Sequence, residues 1–162
     1  ALKTAHPVKS TFLYGISMGA ATAMMTAQYV RRDEIAGIIA DCGFTSIYEE
    51  FCYLYRTVAH VPPWIIVPAI RRRAKKFAGY DIKTTDAREI LAKTDIPVMF
   101  IHGDADDYVP TRMVYPLYGA KPGDKELWVV PGASHANSYR DNREEYTRRV
   151  GEFVESRLRG GI

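Results

Sequence analysis

Four short apolar runs set the terms on which this chain can fold: TFLYG at 11–15, IAGIIADCG at 35–43, PVMFIHG at 97–103 and ELWVVPG at 126–132. Each carries β-branched or aromatic residues and closes on a glycine, which reads as a strand running into a turn. IAGIIADCG has almost no polar alternation, so both of its faces must be covered, as in a parallel sheet. Helix-forming stretches separate the runs. MGAATAMMTAQYV follows the first, TRMVYPLYGA lies between the last two, and NREEYTRRVGEFVESRLR closes the chain with Tyr146, Val150 and Phe153 at helical spacing. Strands alternating with helices predict an α/β fold built on a parallel sheet. At 162 residues and 47% hydrophobic, one core can be buried but not two, so a single domain over 1–162 is expected.

The alternation fails between about residues 44 and 95, a stretch too long for a simple crossover. Most of it, about 44–83, reads as a helical insertion over one end of the sheet. It holds the aromatics Phe44, Tyr48, Phe51, Tyr53, Tyr55 and Trp64, then PPWIIVPAI and the basic run RRRAKK at 71–76; TTDAREILAKT reads as a capped helix leading into the next strand. The basic run follows an apolar segment, which favours a surface helix over a phosphate-binding patch, and a net charge of +3 is too slight to argue for nucleic acid. Cys42 and Cys52 form neither a disulfide framework nor a zinc pattern and are expected to be reduced thiols, mostly buried. Prolines 62, 63 and 68 interrupt the best candidate membrane span. With no signal peptide visible, a cytoplasmic protein is the expectation.

Chemistry enters at GISMG, where Gly15, Ser17 and Gly19 are spaced as GxSxG. The bare motif arises by chance in about one chain in twenty of this length. Its setting is more specific, because a serine directly after an apolar strand and at the opening of a helix is the arrangement of a nucleophile elbow. There the turn strains the serine backbone, the flanking glycines let strand and helix approach, and the backbone N–H of Met18 can stabilise an oxyanion. A serine hydroxyl also needs a base and a group to orient that base. Of the four histidines, His6 precedes the first strand, His60 falls in the insertion and His102 ends a strand, where a structural role is as reasonable as a catalytic one. His135, in the small-residue loop of VVPGASHANSY after the last strand, is the best base. The acid comes from Asp104, Asp106 or Asp107 in HGDADDYVP, or from Asp41 at the end of IIAD. Serine, aspartate and histidine in that chain order, each at a strand end, suit acyl transfer through a covalent intermediate.

GISMGAATAMM, IIADCGF, PVMFIHGDADDYVP and VVPGASHANSY followed by the YTRRVGEFV helix resemble the carboxyl-terminal portion of the α/β-hydrolase superfamily, most closely the bacterial YqkD-type serine hydrolases. The resemblance covers essentially the whole chain, including PPWIIVPAI and AGYDI in the lid. It implies a partial α/β-hydrolase fold of about four parallel strands with a helical lid. The HGxxDxxVP register selects Asp106 as the acid beside Ser17 and His135. It further implies that about four strands, and the loop supplying a second oxyanion N–H, lie outside this sequence. A truncated product is therefore expected, with an open edge beside TFLYG that another chain or a second copy could complete. The expected activity is that of a carboxylesterase-like serine hydrolase acting on a small-molecule acyl substrate, with no metal or organic cofactor. The alternative is a noncatalytic fragment that needs another chain to complete its sheet and oxyanion hole.

Overall fold

β1 (Phe12–Ile16), β2 (Gly37–Asp41), β3 (Val98–Gly103) and β4 (Lys125–Val130) lie side by side in chain order, and every neighbouring pair is parallel. This arrangement comes from a computed structural model that describes residues 10–159; His6 lies outside the described residues. Because parallel neighbours need crossovers, a helical segment fills each connection. These are α1 (Met18–Thr26) after β1, then α2 (Ile47–Thr57), α3 (Pro63–Phe77) and α4 (Ala87–Leu91) after β2. A 3-10 turn (Thr111–Met113) and α5 (Val114–Ala120) follow β3, with α6 (Ser138–Asp141) and α7 (Arg143–Arg159) after β4.

The unbroken apolar character of β2 and β3 has its explanation in two cores. Ile38, Ala40, Val98 and Phe100 face one way, into a cluster with Ala20, Met24, Leu91 and Leu117 from α1, α4 and α5. Ile39, Met99 and Ile101 face the other way, against Trp128, Val130 and the Tyr146 and Phe153 of α7. Val150 packs on the same face of α7, as its spacing requires. The outer edge of β1 pairs with no strand among the described residues, and Tyr14 and Ile16 are exposed along it. No helix among the described residues is long and apolar enough to cross a membrane.

Two glycines allow the sheet's carboxyl end to form. A Cβ on Gly15 would stand 2.2 Å from the carbonyl carbon and oxygen of Gly19, so β1 and α1 can meet at this distance only without it. A Cβ on Gly103 would stand 2.0 Å from the Ala133 carbonyl oxygen, at the point where the loops after β3 and β4 converge. Gly19 behaves differently from the expectation: a Cβ there meets nothing within 4 Å, so the close approach depends on Gly15 alone.

The insertion leaves and returns at one place, where Ser46 and Asp86 form an isolated antiparallel bridge and the Ala87 N–H donates to the Thr45 carbonyl. Both residues also cap helices, since Ser46 Oγ accepts from the Glu49 N–H at the start of α2 and Asp86 accepts from the Arg88 N–H at the start of α4. The helix expected in TTDAREILAKT is short, five residues, because it only has to carry the chain from this bridge into β3. RRRAKK lies on α3, with Arg71 paired to Asp81 and Arg73 over the Phe77 ring. Cys42 is buried and Cys52 half-buried; both are free thiols.

Candidate active site

Ser17 stands between the last residue of β1 and the first of α1, at φ 55° and ψ −117°. This is a strained backbone for a residue with a side chain, and it is held by the Ser17 N–H donating to the Asp41 carbonyl at 2.8 Å. The fold thereby fixes the hydroxyl at the carboxyl end of the sheet. Met18 opens α1, so its N–H has no acceptor within the helix and is free to serve a ligand beside Ser17.

His135 arrives from the opposite side, on the loop after β4. Gly132 at φ 73° and Ala136 at φ 58° turn this loop back over the sheet end. The His135 Nε2 lies 3.0 Å from Ser17 Oγ, and its Nδ1 lies 2.8 Å from Asp106 Oδ2. Asp106 is buried, and its other oxygen accepts from the backbone N–H groups of Tyr108 and Val109. The Tyr108 ring sits 4.9 Å from the His135 ring. Ser17, His135 and Asp106 thus form one continuous hydrogen-bonded line drawn from three strand ends.

The electrostatics follow from that line. Burial pushes the Asp106 carboxyl up, but hydrogen bonds from His102, His135 and the Val109 N–H outweigh it and hold the group well below the usual carboxylate range. The Asp106 carboxylate on Nδ1, helped by Cys42, raises His135 above the ordinary imidazole value, against the opposing effect of burial. In the neutral ring the hydrogen bond to Asp106 keeps the proton on Nδ1 and leaves Nε2 to accept one from the serine, while the raised pKa strengthens that nitrogen as a base.

The remaining sequence candidates are placed elsewhere. Asp41 is buried under α6 and α7, where it accepts hydrogen bonds from Ser138 and Tyr146 at 3.1 and 3.0 Å. Burial raises its carboxyl, and those bonds only partly offset the effect. Asp104 accepts from the Gly132 N–H and ties the two loops together, while Asp107 is exposed. His60 is exposed in the insertion. His102 is fully buried; its Nε2 donates to the Val109 carbonyl at 2.9 Å and lies 3.4 Å from Asp106, so it supports the acid from beneath.

Further features stand outside the residues that the sequence singles out. Cys42, at φ 45° directly after β2, brings its thiol into a group with His135 and Asp106 whose donor atoms all lie within 4.8 Å of one another. A cation bound there would compete for the atoms that join His135 to Asp106. A cavity of about 610 Å³ opens beside Ser17 under α2 and α3, walled by Phe44, Ile47, Phe51, Leu54, Ile70 and Tyr108. Glu50 lines the same cavity. A larger hollow of about 810 Å³ lies between α1 and α4, and Ser17, Asp106 and His135 are not among its walls.

Glu50 did have a trace in the sequence. Ile47, Glu50, Phe51 and Leu54 occupy i, i+3, i+4 and i+7 of α2, so an acid stands where the apolar face calls for an aliphatic residue. Burial pushes its carboxyl up to about 7. The unfolded chain ionises near 4.5, so the buried group costs nothing below that value, costs progressively more up to 7, and costs a constant amount above it. Glu50→Gln is accordingly expected to stabilise the fold by about 3 kcal/mol above pH 7 and by little at pH 4. Chemical denaturation of both proteins at the two pH values checks this; equal gains at both would remove ionisation as the cause.

The YqkD protein of Bacillus subtilis, described as uncharacterized, is 34% identical over 144 residues, which make up 89% of this chain and 47% of that protein. The chain spans about half the length of the curated relatives it matches. Among solved structures, the Pyrococcus furiosus esterase Pf2001 superposes with a TM-score of 0.70 at 25% identity, over 97% of this chain and 58% of the esterase. A monoacylglycerol lipase from Paleococcus ferrophilus superposes at 0.62 with 21% identity, over 91% of this chain and 69% of the lipase. No protein-family model matches the chain.

Proposed function

This chain belongs to the α/β-hydrolase superfamily, and on that premise we propose that it is a serine hydrolase cleaving esters or related acyl bonds. The observation that carries the reading is the line from Ser17 Oγ to His135 Nε2 at 3.0 Å and from His135 Nδ1 to Asp106 at 2.8 Å. Ser17 Oγ attacks the acyl carbonyl while His135 Nε2 takes its proton, and Asp106 stabilises the resulting imidazolium. The carbonyl oxygen gains negative charge as the tetrahedral intermediate forms, and the Met18 N–H donates to it. The intermediate collapses with expulsion of the alcohol, which receives the proton from His135. Water, deprotonated by the same nitrogen, then releases the acid from Ser17.

Support for a small or medium acyl substrate comes from the cavity beside Ser17, about 610 Å³ and mostly apolar in its walls. The hydrolytic activities in the descriptions of Pf2001 and of the Paleococcus lipase agree with an ester as the bond cleaved. A fluorophosphonate probe tests the reading at the nucleophile. Ser17 is expected to be the labelled residue, with labelling abolished in Ser17→Ala and strongly reduced in His135→Ala. Native protein that stays unlabelled would instead mark a noncatalytic module of the same fold.

A further inference from the structure

Glu50 lines the cavity beside Ser17, and its carboxyl group meets no partner. The residue is 4% exposed, and both carboxyl oxygens are buried without a hydrogen-bond partner. No lysine or arginine among the described residues forms an ion pair with it. Buried polar groups are almost always satisfied, so an unpaired carboxyl in the wall of a substrate cavity marks the place where an occupant would satisfy it. The charged groups near it are His135, Asp106 and Arg112, and Arg112 lies over the Tyr53 ring at 5.0 Å. Arg73 shares the cavity wall but holds its guanidinium over the Phe77 ring at 5.2 Å.

The geometry points to an ammonium-recognition site: Glu50 receives a primary amine carried by the ester substrate, within reach of the bond presented to Ser17. An ammonium group supplies three N–H donors and a compensating charge, enough to satisfy both carboxyl oxygens at once, whereas a hydroxyl supplies one donor and no charge. The aromatic walls formed by Phe44, Phe51 and Tyr108 suit a cation as well as an alkyl chain. The site deepens the serine-hydrolase reading and rests on it for its substrate.

The test uses n-hexylammonium and 1-hexanol, equal in length and different in charge, titrated calorimetrically into the native protein at pH 8.5. Hexylammonium is expected to bind at least tenfold more tightly, to compete with p-nitrophenyl heptanoate for turnover, and to lose its advantage over hexanol in both Glu50→Gln and Glu50→Leu. Equal binding of the two probes, an advantage that survives in Glu50→Gln, or binding that does not compete with the ester would each overturn the amine site. The hydrolase reading fails separately: heptanoate turnover that is absent, or indifferent to Ser17→Ala, overturns it even where the calorimetric preference for hexylammonium depends on Glu50.

Discussion

Asp106→Asn is expected to lower kcat by about four orders of magnitude while leaving a folded protein. The side-chain oxygen of asparagine can still accept from the Tyr108 and Val109 N–H groups, so the loop after β3 keeps its shape. What changes is the face toward His135. The asparagine amide donates to Nδ1, which drives the ring proton onto Nε2, the nitrogen that must be empty to take the proton from Ser17. The pH profile gives a second readout. His135 works only when neutral, and in the native protein Asp106 raises its pKa, so the acid limb of kcat/KM should fall above the ordinary imidazole value of about 6.5. In the asparagine variant, the residual activity should extend to lower pH. Asp41→Asn should change kcat by less than about tenfold, because Asp41 is bound to Ser138 and Tyr146 and does not touch the histidine. Steady-state kinetics of the two variants on one ester decides the matter; the opposite ranking would move the acid to the end of β2.

Gly15→Ala should be among the most damaging single methyl groups in the molecule. Its Cβ would meet the carbonyl carbon and oxygen of Gly19 at 2.2 Å and the Ala20 nitrogen at 2.5 Å, all of them backbone atoms that no rotamer change can move. Strand and helix would have to separate at the point where Ser17 is clamped, and Ala20 and Met24, both fully buried, would move with the helix. Overpacking in a core costs about 1–3 kcal/mol where side chains can adjust. With backbone on both sides, a loss above about 4 kcal/mol is expected, together with loss of fluorophosphonate labelling. Gly19→Ala serves as the control, since its Cβ would face open space. Its loss should stay within about 1 kcal/mol by denaturant titration, and equal effects of the two substitutions would show that the motif's glycines are not divided in the way described.

Much of the fold could be read from the chain because its signals are local. The runs at 11–15, 35–43, 97–103 and 126–132 contain β1 to β4 to within a residue or two, since an apolar strand buried on both faces announces itself by composition. The structure brings Ser17, Asp106 and His135 together; Ser17 and His135 stand out in the sequence by their places at strand ends, whereas Asp106 is selected among four aspartates only by the HGxxDxxVP register that the family resemblance supplies. Features that depend on packing between distant segments left weaker traces or none. Nothing in GISMG distinguishes Gly15 from Gly19, because only the angle between β1 and α1 decides which one faces backbone. His102 and Cys42 acquire their places beneath the acid and the base from β2 and β3 lying next to each other. Glu50 left a trace, an acid on an apolar helical face, but its meaning depends on the cavity that α2 and α3 enclose over Ser17.

β1 has one further consequence. Among the described residues its backbone pairs only with β2, and the chain leaves its tip through the strained turn at Ser17. On the other side of the reaction, the loops after β3 and β4, hydrogen-bonded to each other and in close approach at Gly103 and Ala133, carry Asp106 and His135 outside that strand's pairing. The nucleophile and its base therefore ride on separate supports, and the 3.0 Å between them is the gap across which any shift of β1 would be felt first.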